Sequence, residues 1–171
     1  MVDDGSSDNT FELAKTFCDS NDKFRYVYHS NRKQSLSKNA GILASSGIFV
    51  TFLDSDDEYD TEHLAIRQKI LFQNPEVELL HGGVKIIGNE FVPDKDNPNE
   101  LIHIYDCIIG GTFFINKYSA VNLGGFPLTD YGDDTDFFDL AVKSELVIAK
   151  IDHPSYIYYR DSEDSLCNQR K

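Results

Sequence analysis

Gly47-Ile48-Phe49-Val50-Thr51-Phe52-Leu53 runs straight into Asp54-Ser55-Asp56-Asp57. An apolar, β-branched and aromatic run of this length reads as a buried strand. The carboxylates fall where that strand would leave its sheet. Asp54 and Asp56 stand two residues apart, so in extended backbone both point to the same side. Like charges held together repel unless a cation lies between them or one is protonated. Oxygen donors of this kind suit Mg²⁺ or Mn²⁺. In open α/β sheets, ligands bind beyond the carboxyl ends of the strands, so the turn points to a divalent metal and a phosphate-bearing substrate. The competing reading is a solvated turn that caps the next helix, since Asp and Ser bond readily to nearby backbone. An EF-hand loop does not fit, because Tyr59 takes the glycine position and no glutamate closes it. Asp94-Lys95-Asp96 fails in the same way, with Asn99 at that position.

Composition bounds the rest. With 171 residues, 40% of them hydrophobic, the chain reads as one globular domain over 1–171 with enough apolar material for a core. Its 29 acidic residues against 16 basic ones give a net charge of −13. That balance argues against nucleic acid as a partner. It leaves room for a small phosphate-bearing ligand, because a bound metal inverts the local field. Cys18, Cys107 and Cys167 are widely spaced with no Cys-x-x-Cys pair, which argues against a disulfide scaffold or zinc site and for a reducing compartment. Met1 leads directly into Val2-Asp3-Asp4-Gly5, so no signal peptide is read. The longest apolar stretch, near residues 41–53, is broken by Ser45, Ser46 and Thr51 and is too short for a bilayer.

Periodicity places helices over residues 10–20, 35–44, 61–72, 117–123 and 135–145. In the first, Phe11, Leu13, Ala14 and Phe17 form an apolar side and Asp8 or Asn9 caps it. Strands are expected over 24–29, 47–53, 77–83, 84–87, 146–151 and 155–159, with 101–115 mostly β-like and 93–100 a polar loop. Alternating elements imply an α/β sandwich with a largely parallel sheet. Residues 2–10 read as a strand end, a turn and a helix cap, with only Val2 from the strand itself. A domain does not normally begin inside an element, so a preceding strand and helix are expected outside this sequence.

Five motifs now stand in order. Val2-Asp3-Asp4-Gly5-Ser6-Ser7-Asp8-Asn9-Thr10 resembles the nucleotide-contacting turn of family 2 glycosyltransferases. Asn31 with Lys38-Asn39-Ala40-Gly41-Ile42 resembles the segment that runs over the nucleotide-sugar. Phe52-Leu53-Asp54-Ser55-Asp56-Asp57 resembles the Asp-x-Asp motif. Gly124-Gly125-Phe126 with Gly132-Asp133-Asp134-Thr135-Asp136-Phe137 resembles the acceptor-side loop and the acidic motif carrying the base. Tyr158-Tyr159-Arg160 with Ser165 resembles the closing motif. The resemblance runs from residue 2 to about residue 166. It implies a GT-A fold, a three-layer sandwich with a mostly parallel mixed sheet, here lacking its first strand and helix.

The resemblance also implies roles. Asp56 would be the direct ligand of Mn²⁺ or Mg²⁺, with Asp54 reaching the ribose or the metal through water. Asp4 would meet the base or ribose, Asp3 would support that turn, and Ser6, Lys38, Asn39 and Arg160 would contact the donor. Asp134 would take the proton from the incoming hydroxyl, with Asp133 as second candidate, and attack opposite the leaving group would invert the anomeric centre. The implied donor is a nucleotide-diphosphate sugar, UDP-sugar favoured, and the acceptor a saccharide or lipid-linked sugar. The implied location is cytoplasmic, with peripheral contact at the inner face of the membrane by analogy alone. One departure stands out: Ser162 occupies the place of a usual metal-binding histidine, with Asp161 beside it as a substitute. The missing strand and Ser162 favour the alternative of a non-catalytic remnant with weak or no nucleotide-sugar binding. Each residue has a plainer reading too. Asp133 and Asp134 suit a helix N-terminus, Gly124-Gly125 suits a helix stop, Lys38 and Arg160 suit a solvated surface, and Tyr156, Tyr158 and Tyr159 suit packing.

Overall fold

The computed structural model of the protein describes residues 1–161, so the readings of Ser162 and Ser165 lie outside the described residues. The opening run supplies strand β3, but only Phe49–Thr51 are paired; Phe52 stays buried while Leu53 turns outward. Numbering in chain order, the strands before it are β1 (Val2–Asp3) and β2 (Val27–Tyr28), and the helices are α1 (Thr10–Ser20) and α2 (Gln34–Ala44). After it come β4 (Glu58–Tyr59), α3 (His63–Gln73), β5 (Leu79–His81), β6 (Val84–Ile87), β7 (Phe91–Pro93) and β8 (Leu101–His103). The chain continues with β9 (Phe114–Asn116), α4 (Lys117–Asn122), α5 (Asp133–Lys143), β10 (Ile148–Lys150) and β11 (Tyr156–Tyr159).

The central sheet has the order β10-β5-β9-β3. Alternation along its middle strands feeds two cores. Leu79, Ile115, Val50 and Phe52 join Ile42 of α2, Ala120 of α4, and Phe137 and Ala141 of α5. Leu80 and Phe114 join Leu71 of α3, Val77 and Ile151 on the other side. Helices therefore cover both faces, which gives the expected three layers. Parallel pairing holds for β1–β2, β5–β10 and β6–β11, while β9 runs antiparallel to both its neighbours.

Several expectations change. Strand 77–83 stops at His81 because Gly82 and Gly83 turn into the left-handed region, at φ 90° and 76°. The polar loop 93–100 is the tip of a hairpin between β7 and β8, with Asp94 Oδ1 accepting from the N–H groups of Asp96 and Asn97. The stretch 101–115 is interrupted by two 3₁₀ turns, Ile104–Asp106 and Gly110–Thr112. Helix α1 buries only Ala14 of its apolar side; Phe11, Leu13 and Phe17 are each about half exposed. Phe11 packs on Tyr26 and Phe17 on Phe24 instead of on a sheet. Asp8, rather than Asn9, supports the start of α1 by accepting from the Thr10 N–H and hydroxyl.

Helix α3 carries a buried polar pair beneath the opening turn. Arg67 Nη1 donates to Ser155 Oγ at 2.7 Å and Nη2 to the Gly82 carbonyl at 2.5 Å. His63 Nδ1 lies 3.0 Å from the same Ser155 Oγ, and its ring stacks on Tyr59 at 3.8 Å. Burial first, and then the Arg67 charge, push the His63 imidazole down to about 4. His63 therefore folds neutral. As pH falls from 6.5 toward 4 the unfolded chain takes up a proton that the native state refuses, so stability is lost across that window. We expect wild-type unfolding free energy to drop by roughly 3 kcal/mol more than that of His63→Phe between pH 7 and pH 4. Urea titrations at the two pH values measure the difference, and parallel pH curves for both proteins would count against it.

Candidate functional site

The strand end, the start of α2, the start of α5 and the β7–β8 hairpin enclose a cleft of about 1030 Å³. The opening turn divides its carboxylates. Asp57 is buried and accepts from the Tyr156 hydroxyl at 2.6 Å and the Tyr159 N–H at 2.9 Å. It ties the turn to β11, and burial pushes its carboxyl up to about 6. The Tyr59 hydroxyl, donating to the Phe52 carbonyl at 2.6 Å, holds the strand end from the other side. Asp54, half-buried, and Asp56, exposed, line the cleft beside it. Burial raises the Asp54 carboxyl; Lys38 pulls it down and Asp56 pushes it further up.

Opposite them stands the first turn of α5. Asp133 is buried, and both its oxygens meet Lys38 Nζ, at 3.1 and 3.2 Å. Asp134 Oδ2 accepts from the Gly110 N–H at 3.0 Å, and Oδ1 from the Thr135 N–H at 2.8 Å. Burial raises the Asp134 carboxyl, against the opposing pull of Lys38. Gly110 and Gly111 were not singled out in the sequence. A Cβ at Gly111 would come within 2.2 Å of the Tyr156 hydroxyl, so this wall needs glycine.

Asp4 also lines the cleft, oriented by the Arg32 N–H at 2.7 Å and by His29 Nδ1 at 3.0 Å. His29 was missed; its closeness to Asp4 depends on β1 and β2 lying side by side. Asp3 Oδ1 accepts from the Gly5 and Ser6 N–H groups and Oδ2 from the Tyr26 hydroxyl, all within its own turn and just ahead of β2. Those bonds hold its carboxyl below the usual range, the Tyr26 bond foremost.

Asp3 and three expected donor contacts, Ser6, Asn39 and Arg160, are not brought to the cleft wall. Asp3 is spent on its own turn, and Ser6 is exposed. Asn39 clamps Phe126, donating to its carbonyl at 2.9 Å and accepting from its N–H at 2.7 Å. Arg160 is buried, with its guanidinium 5.7 Å above the Tyr158 ring and its N–H on the Ile87 carbonyl. Lys38 is likewise buried, so neither basic residue is the solvated surface charge that its type suggests.

Each lysine of the cleft lining is ion-paired with an aspartate: Lys33 with Asp130, Lys38 with Asp133 and Lys95 with Asp136. Among the described residues, then, no lysine of the cleft lining stands apart from an aspartate. Among the described residues no group of three or more His, Cys, Asp or Glu is arranged to hold a metal. Two carboxylates are what the turn offers. That set fits Mg²⁺ or Mn²⁺, which characteristically bind through one or two carboxylates together with substrate phosphates and water.

Residues 1–119 match the sequence profile of Glycosyl transferase family 2. WfgD of Escherichia coli, a UDP-Glc:α-D-GlcNAc-diphosphoundecaprenol β-1,3-glucosyltransferase, is 28% identical over 78% of this chain and 53% of its own length. Staphylococcus aureus TarS, solved with UDP-GlcNAc, superposes with TM-score 0.77 at 17% identity, over 96% of this chain and 50% of that one. The mannosyltransferase PcManGT of Pyrobaculum calidifontis, solved with GDP-Man and Mn²⁺, gives TM-score 0.64 at 17% identity over 93% and 46%. The chain thus spans about half the length of these proteins, and as little as 11% of other relatives. No helix among the described residues is long and apolar enough to cross a membrane. The fold is GT-A, and with the profile covering most of its length the chain belongs to glycosyl transferase family 2.

Proposed function

We propose that this domain transfers a sugar, with inversion, from a nucleotide-diphosphate sugar to an acceptor hydroxyl, assisted by a divalent cation. The observation that carries the reading is one cleft with Asp54 and Asp56 on one wall, Asp134 on another, and each lining lysine among the described residues paired with an aspartate. Asp56, with Asp54, would hold Mn²⁺ or Mg²⁺, which when bound offsets the charge that develops on the departing diphosphate. Asp134 accepts the acceptor's proton as its oxygen bonds to the anomeric carbon. The bond from that carbon to the diphosphate breaks with its electron pair, and the nucleoside diphosphate leaves. Two N–H groups orient the Asp134 carboxylate without exhausting its lone pairs, and burial raises its affinity for the incoming proton. Asp4, also lining the cleft, would receive the ribose or base.

A UDP-sugar is the favoured donor, by likeness to the ligands of WfgD and TarS. A saccharide, lipid-linked as in WfgD, is the favoured acceptor, which would bring the domain to a membrane peripherally. Calorimetry with Mn²⁺ and a panel of UDP- and GDP-sugars tests the reading. We expect metal-dependent binding that weakens at least about tenfold in Asp56→Ala, a loss of about 1.4 kcal/mol. A wild-type protein that binds no nucleotide-sugar in the presence of Mn²⁺ leaves the remnant reading standing instead.

A further inference from the structure

Lys38 is the residue whose surroundings depart most from expectation. A lysine near a diphosphate site invites the reading of a phosphate ligand. Here, however, its ammonium meets both oxygens of Asp133 at 3.1 and 3.2 Å, with both side chains less than a tenth exposed. It lies 4.8 Å from the centre of the Phe126 ring, and Phe126 stacks at 4.3 Å on Phe137 of α5. A Cβ on Gly110 would sit 3.4 Å from Lys38 Nζ and 3.0 Å from Asp134 Cβ, so Gly110 is wedged between the two. The Gly110 N–H is the group that Asp134 Oδ2 accepts from.

We infer that Lys38 is a positioning residue: it locks Asp133 into the α2–α5 junction, which holds Asp134 on the Gly110 N–H, and it does not bind the donor diphosphate. The inference rests on Asp134 being the base of the proposed reaction. An ammonium is a compact charge with three donors, and a buried Asp133 stripped of it would be an uncompensated charge beside a second carboxylate. Such a site relaxes by moving or by taking up a proton. Either response shifts the neighbouring residue. Removing both charges together avoids it. A donor ligand would behave otherwise, because no change at Asp133 replaces a lost contact to phosphate.

Lys38→Met, Asp133→Asn and the double variant Lys38→Met/Asp133→Asn separate the two roles. The first readout is amide hydrogen exchange at Gly110, with the Asn116 amide of β9, bonded to the Glu78 carbonyl, as a control for global stability. The second is the calorimetric dissociation constant for UDP-GlcNAc with Mn²⁺. Lys38→Met is expected to speed Gly110 exchange about tenfold relative to Asn116. The double variant is expected to restore Gly110 protection and keep the dissociation constant within about twofold of wild type. Where turnover is measurable, Lys38→Met lowers kcat and leaves the donor KM unchanged.

Unaltered Gly110 protection in Lys38→Met overturns the inference. So does a tenfold weaker dissociation constant in the double variant, which would make Lys38 a diphosphate ligand. If Lys38→Met does not fold, the double variant alone decides, by the same two readouts. A wild type that binds no nucleotide-sugar defeats the proposed function, and Gly110 exchange then still decides the role of Lys38.

Discussion

Asp134→Asn is expected to lower the rate of sugar transfer by about 10²–10⁴-fold, the usual contribution of a positioned general base. Asparagine keeps the shape of the side chain and an oxygen that can accept from the Gly110 N–H, but it cannot take a proton from the acceptor. Donor binding should be nearly untouched, since the cation that would meet the donor's charge would be held at Asp54 and Asp56 on the other wall. The pH dependence supplies a second reading. Burial raises the Asp134 carboxyl above the ordinary carboxylate range, and in the proposed reaction the ionised form acts as the base. Activity should therefore fall with decreasing pH at a higher pH than an unperturbed aspartate would give, and that acidic limb should vanish in Asp134→Asn. Steady-state rates across pH, with donor affinity measured alongside, decide the matter. Should Asp133→Asn carry the whole rate loss and Asp134→Asn none, the assignment of the base moves by one residue.

Phe137→Ala carries the largest expected cost to stability. Phe137 is fully buried, stacks 4.3 Å from Phe126, and sits one turn after Asp133 and Asp134 on α5. Truncating such a ring removes its transfer free energy and leaves a cavity, about 3–5 kcal/mol in well-packed cores. Against a typical total of about 5–15 kcal/mol, that is a large share. Because the same helix presents both acids to the cleft, turnover should weaken before global unfolding is seen. Phe17→Ala is the natural control. That ring is about half exposed on α1, and its loss should cost under about 1 kcal/mol. Urea denaturation of the two variants gives the comparison, and equal costs would refute the packing argument.

The sequence showed where charge would collect but not how it would be shared out. Asp54-Ser55-Asp56-Asp57 was legible as a site because strand, turn and carboxylates are neighbours in the chain. The division of labour within it was not. What sets Asp57 apart is Tyr156, 99 residues away. The pairing of Lys38 with Asp133 spans 95 residues, and the clamp of Asn39 on Phe126 spans 87. Residue type gave each of these polar side chains an open role, as ligand or surface group, and only tertiary contact closes it. The apolar side of α1 misled for the converse reason: periodicity reports which residues could be buried together, not whether a sheet lies opposite. The helices suffered least, since their periodic spacing is local.

Those same spans set the order in which the site can come into being. The Asp54 turn is complete early in the chain, yet its supports close loops of nearly a hundred residues: Asp57 to Tyr156 and His63 to Ser155. Bringing such distant segments together carries a loop-closure entropy that local contacts do not. A nascent chain emerging from its N-terminus is therefore expected to expose the acidic turn, held only by the nearby Tyr59 hydroxyl, long before Tyr156 and Ser155 can reach it. The cleft is expected to be among the last parts of the domain to acquire its shape.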